Sequence, residues 1–100
     1  MITKKNTKVT EVCGVVVHEM DIMFINYEDE NVRKWCHARI EHIEDSEITI
    51  RTAAGNEAFT IPKEKIIAVT EQNCFNKKIE WALYCGEIFS EEEIKISENL

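Results

Sequence analysis

The chain is 100 residues long and 44% hydrophobic, with four cysteines, three glycines, one proline and a formal net charge of −7. That length suits a single domain whose core needs neither disulfides nor metal; no apolar run approaches the roughly 18 residues of a membrane helix, and no internal repeat is visible. The charge excludes broad, non-specific nucleic-acid binding, which draws its affinity from neutralising phosphates; it leaves room for a local basic patch and otherwise keeps a small domain in solution.

Residues 1–8 are polar and are expected to form a flexible arm. Lys4, Lys5 and Lys8 stand there without an acid, whereas residues 11–47 carry ten acids against three bases. No apolar stretch of a secretory signal follows the basic start. The cysteines Cys13, Cys36, Cys74 and Cys85 show no CxxC spacing, so they are expected to be reduced and the chain cytoplasmic.

Residues 9–70 read as a β-barrel. Val9 to His18, VTEVCGVVVH, is dense in β-branched residues and predicts one strand. After a turn at Glu19-Met20-Asp21, Ile22 to Tyr27 is apolar at nearly every position, as in a strand covered on both faces. Glu28 to Asn31 forms an acidic turn. Val32 to Ile43 is long for a strand, and its apolar parity breaks between Cys36-Ala38-Ile40 and Ile43, which predicts a bent or bulged strand serving two sides of a barrel. A helix is the competing reading, because Trp35, Ala38 and His42 are spaced by three and four.

Ile48, Ile50 and Thr52 share one face of the next strand. Ala53-Ala54-Gly55-Asn56 is a turn, Phe59 and Ile61 begin another strand, and Pro62, with no N–H to donate, ends it. Ile66, Ile67 and Val69 open a further short strand. Residues 71–100 read as a helical extension. Cys74, Phe75, Ile79, Ala82 and Leu83 recur at helical spacing, Gly86 sits where a C-terminal cap belongs, and a helix from about Asn76 to Cys85 is expected across one open end of the sheet. Ser90 and Glu93 have the spacing of a capping box for a last turn or two.

Asp45-Ser46-Glu47-Ile48-Thr49 and Ile61-Pro62-Lys63-Glu64-Lys65, followed by Ile66 to Val69, resemble the two sequence motifs of the Sm-like family. The resemblance covers about half the chain, Ile22 to Thr70, and SH3-like barrels share its hydrophobic skeleton. It implies a small, strongly bent, closed antiparallel barrel that assembles into rings. Thr49 stands where that family has an Asn, and Pro62 and Lys63 replace its Arg-Gly. By that resemblance the counterpart of the family's nucleotide pocket is expected around Asp45, Thr49 and Lys63.

Other constellations point away from catalysis. Cys36 and His37 are adjacent, so they project to opposite faces of a strand, and Cys13 and His18 do likewise; neither pair can clamp a zinc ion, which takes ligands in tetrahedral array. Glu41, Glu44, Asp45 and Glu47 gather round one turn without a reason to be buried, and a general acid needs a raised pKa. There is no glycine-rich phosphate loop and no nucleophile elbow. Neither cofactor nor metal is expected. Trp81 reads as a core residue under the helix. Trp35, flanked by Arg33, Lys34 and Arg39, forms the one basic-aromatic cluster and could stack a base.

The sequence thus predicts a non-enzymatic binding module, forming a homo-oligomer through its strand edges and taking a partner protein or a nucleotide- or RNA-type ligand through Arg33, Trp35, Arg39, Asp45, Thr49 and Lys63. The alternative is an acidic inhibitor, of the kind that phages encode against host defences, that imitates nucleic acid or sequesters a signalling nucleotide.

Overall fold

The computed structural model of the protein describes residues 8–55 and 57–99. The arm expected over residues 1–8 falls, apart from Lys8, outside the described residues, as does Asn56 of the turn expected at Ala53 to Asn56. The fold is mainly β. Strands β1 (Val9–Val12) and β2 (Val15–His18) form a two-stranded sheet; β3 (Ile22–Asp29), β4 (Val32–Ile43), β5 (Glu47–Thr52), β6 (Phe59–Pro62) and β7 (Ile66–Thr70) form the main antiparallel sheet in the order β6-β5-β4-β3-β7. Helices α1 (Lys77–Tyr84) and α2 (Glu91–Glu98) follow, separated by a two-residue strand β8 (Phe89–Ser90) that pairs with Lys34 and Trp35 of β4.

Val9 to His18 is a hairpin and not one strand. Cys13 and Gly14 both take positive φ, 52° and 79°, the left-handed pair that a two-residue hairpin loop requires, and Val12 pairs with Val15 across it. The same chemistry recurs between β3 and β4, where Glu30 and Asn31 have φ of 50° and 67°.

Strand β4 is the spine. It pairs with β3 along Val32 to Arg39 and with β5 along Ala38 to Ile43, and its register against β5 shifts between Ile40 and His42, leaving Glu41 as the extra residue of a bulge. That bulge resolves the broken parity: Cys36, Ala38 and Ile40 face inward before it, Ile43 after it, and all four are buried. Val32–Ile43 is a strand throughout, so the helical reading of this stretch does not hold.

The inward face encloses an aliphatic core of Ile25, Ile40, Ile48, Ile50, Ile61 and Val69 with their neighbours, and the hairpin adds Val12 and Val17 to it. Strand β3 is buried on both faces. Phe24, of opposite parity to Met23 and Ile25, belongs to a second cluster with Ile79 and Leu83 of α1 and Ile94 of α2, against which Trp35, Phe75 and Phe89 pack. Helix α1 therefore covers the outer face of β3 and β4, where Phe24 and Trp35 point, instead of lying across an open end of the sheet.

Local signals set the helix ends. Asn76 caps α1 by accepting from the Ile79 N–H at 2.9 Å, and Ser90 and Glu93 form a full capping box for α2. Gly86 (φ +99°) stops α1 against the β5–β6 loop so closely that a Cβ built there would lie 2.4 Å from the Ala54 nitrogen. Trp81 does not join the core. It is 71% exposed, because on a helix whose Ile79 and Leu83 face the sheet a residue two positions on from Ile79 points away.

Among the described residues the barrel is not closed by hydrogen bonds. The ladder begins at β6 and ends at β7, and a single-turn 3-10 helix over Lys63–Lys65 joins those two edge strands. Tyr27 and Phe59, with ring centroids 6.0 Å apart, fill the seam with side chains.

Candidate functional site

The residues expected to act together are spread over the sheet. Arg33 and Arg39 lie six residues apart on β4, about 20 Å at the rise of an extended strand. Trp35 between them is half-buried, and its ring meets Phe75 edge-on at 5.2 Å; it is built into the core beneath α1 and α2. Lys34 pairs with Asp29 at 2.8 Å.

Asp45, Thr49 and Lys63 sit towards the other end. Asp45 is exposed in the β4–β5 turn, the Thr49 hydroxyl lies 3.0 Å from that of Thr60, and Lys63 donates its backbone N–H to the Ser46 carbonyl at 2.9 Å and its ammonium to the Thr10 hydroxyl at 2.7 Å. Lys63 is thus brought beside the turn that carries Asp45, yet both the Thr49 and Lys63 side chains are already engaged within the protein.

A different group converges at the far end of β4 and β5. Arg39 and Arg51 stand directly opposite each other in the two strands. Like charges so placed repel, and Glu41, freed from the ladder by the bulge, answers both: Oε2 accepts from Arg39 through Nε and Nη2, and Oε1 accepts from Arg51 Nε at 2.8 Å. The hydrogen bonds from Arg39 and then Arg51 hold the Glu41 carboxyl below the usual carboxylate range. With both Nε groups committed, Nη1 of Arg39 and both terminal nitrogens of Arg51 carry no partner among the described residues.

These guanidinium ends line an open groove of about 330 Å³, the floor of which is Ala38 and Thr52 and the rim of which includes Ile22, the Ala53–Gly55 loop and Tyr84 of α1. His37 forms part of the aromatic wall, tilted at 49° to Phe24 with ring centroids 4.6 Å apart and edge-on to Tyr84 at 4.8 Å and 84°. Burial lowers the His37 pKa, so the ring is neutral at pH 7. Among the described residues no carboxylate lines this groove.

Of the sequence-predicted residues only Arg39 is here. Arg51, His37 and Tyr84 are not among the residues predicted to bind ligand, since they come from three elements; the signal that could have paired Arg51 with Arg39 is the β4–β5 register, and the bulge at Glu41 displaces it by one residue.

The remaining ionisable clusters are structural. His42 lies between Glu19 and Glu44, and Glu19 also accepts from the Ile43 N–H at 3.0 Å, tying the loop before β3 to the end of β4. No group of His, Cys, Asp or Glu among the described residues could hold a metal ion, all four cysteines are free thiols, and no described helix is long and apolar enough to cross a membrane. Compared with protein-family models, curated proteins and solved structures, the chain matches none.

Proposed function

We propose that this chain is a non-enzymatic small-barrel binding module that assembles with copies of itself through strands β6 and β7 and presents its outer surface to a partner protein or a nucleotide- or RNA-type ligand. The observation that supports the reading is the open ladder: among the described residues β6 pairs only with β5 and β7 only with β3, so each leaves one edge without a strand, with the Cys13 thiol donating to the Ile66 carbonyl of β7 at 3.2 Å. Such edges are either protected or paired. Two different edges on one molecule make a head-to-tail contact that generates rings where the rotation closes, which is the assembly that the Sm-like resemblance implies.

Light scattering coupled to size exclusion tests this. A defined oligomer is expected, and converting Thr60 and the exposed Ile67 to lysine, which blunts both edges, should yield folded monomer. A strict monomer for the unaltered chain at tens of micromolar would remove the assembly from the proposal.

The acidic-inhibitor alternative draws its support from the net charge of −7 and from Glu91, Glu92 and Glu93 in the first turn of α2. A nucleic-acid mimic of this kind would bind a basic protein with an affinity that collapses as salt rises; binding to the same protein that ignores salt would eliminate it.

A further inference from the structure

We propose that the groove between the end of the β4–β5 ladder and the C-terminal turn of α1 is a binding site for a nucleoside monophosphate, with Arg39 and Arg51 taking the phosphate and Tyr84 the base. The proposal deepens the reading of the chain as a binding module by naming a ligand class, and it does not depend on edge pairing, because neither β6 nor β7 lines the groove.

The chemistry of the two walls carries it. On one side, two guanidiniums on neighbouring antiparallel strands are held by one carboxylate that occupies their Nε groups, so their unused terminal N–H groups remain available. Planar N–H donors of this kind match phosphate oxygens. Their side chains are 46% and 34% exposed, whereas that of Glu41 is 20% exposed, so the acid is more withdrawn from solvent than the bases that it orients. Three charges of this cluster sum to one net positive in a chain of net charge −7, and an anion is the ligand that the excess favours.

On the other side, Tyr84 is 42% exposed although it stands on a helix that packs on the sheet, and its ring is braced by His37 and by Phe24 at 5.6 Å. An exposed ring fixed by its neighbours is a platform for a flat heterocycle, and stacking of this kind tolerates any base. His37, neutral through burial, adds no charge to that wall. Ile22, exposed on the same rim, supplies apolar contact. The volume of about 330 Å³ lies at the small end of ligand clefts, about 300–1,000 Å³, and suits one nucleotide and not a dinucleotide.

The test is calorimetric titration of the full chain with AMP, GMP, CMP and UMP, and with inorganic phosphate as the arm that lacks a base, alongside amide chemical-shift mapping. At least one nucleotide should bind more tightly than phosphate by tenfold or more, with shifts centred on residues 37–39, 51–55 and 84. Arg51→Gln should weaken nucleotide and phosphate together by about tenfold. Tyr84→Leu, which leaves the Glu41 network intact and so guards against misfolding of the first variant, should weaken nucleotide by about fivefold or more and leave phosphate unchanged. Absence of nucleotide binding at millimolar concentration overturns the site, as does equal affinity for phosphate and nucleotide, or binding that neither substitution alters. An oligomer that binds no nucleotide defeats this site and leaves the edge assembly standing; a monomer that binds nucleotide does the reverse.

Discussion

The inward and outward faces of the β3–β4 pair are built from different materials. Inside, isoleucines of β3, β4, β5 and β6 interlock with the valines of the hairpin, and the side chains are almost wholly removed from water. Outside, Phe24, Ile79, Leu83 and Ile94 are buried, but Trp35, Phe75 and Phe89 around them are only partly so, and two helices of eight residues each form the cover. Helices so short have little stability of their own. The inner face therefore holds the sheet together, and the outer face is a lid of aromatic contacts that the sheet supports, with the exposed edge of that lid, Tyr84, left over to form one wall of the groove.

The largest test of that difference is Ile50→Ala, which removes a fully buried side chain at the centre of the ladder and should destabilise the fold by about 2–5 kcal/mol in denaturant titration. Ile94→Ala in α2 should sit at the low end, about 2 kcal/mol, because an eight-residue helix can settle into the space; equal costs at the two positions would erase the distinction. Next come the caps. Asn76→Ala and Ser90→Ala should each cost about 1 kcal/mol, with faster amide exchange confined to α1 or α2 and the sheet protected as before; loss of protection in β4 would show the helices to be part of the same cooperative unit.

A smaller effect belongs to two partly exposed carboxylates, Glu41 and Glu19, whose ion pairs at the surface are weak. Glu41 is held below its ordinary value of 4.5 by Arg39 and Arg51, and Glu19 is lowered chiefly by the Ile43 N–H. A depressed folded pKa gives stability that is present above 4.5 and is lost as pH falls through the folded value. Stability should therefore decline under acid, first as the unfolded His37 takes up a proton near its ordinary 6.5 that the buried ring resists and then through the carboxylate range, and Glu41→Gln should shallow the second part of that decline; an unchanged acid slope there would show the Arg39–Glu41–Arg51 network to be absent in solution. The last test is chemical. Cys36 is buried inside, and burial pushes its thiol up to about 12, whereas Cys13, Cys74 and Cys85 are exposed. Thiol reagent at mildly alkaline pH should count three thiols in the native protein and a fourth only after denaturation.

Much of this geometry was legible beforehand wherever a residue breaks a pattern. The parity change within Val32–Ile43 announced the bulge, Pro62 the end of β6, Gly86 the stop of α1, and Ser90 with Glu93 the start of α2. Uniform stretches concealed more. In VTEVCGVVVH valines fall on every register, so periodicity cannot show where the chain reverses, and the signal was the single Gly14 beside a cysteine that itself adopts positive φ. Trp81 was misread because its hydrophobicity outweighed its angular position, although Ile79 and Leu83 already fixed which way the helix faces. In the cluster around Trp35, Arg33 and Trp35 do share the outer face of β4, but the indole is taken up by its packing with Phe75 and the helices. The groove was the reverse case, since His37, Arg51 and Tyr84 meet through a strand register and a helix placement that no local pattern encodes.

Gly86 and Ala54 touch across a gap that admits no side chain on the glycine, which welds the stop of a helix to the loop between two strands. Neither segment can vary alone. A lengthened loop after Thr52 would have to be matched by a helix that ends elsewhere, so in related chains insertions at the one place should be accompanied by changes at the other, and the mouth of the cleft should change shape by steps and not by degrees.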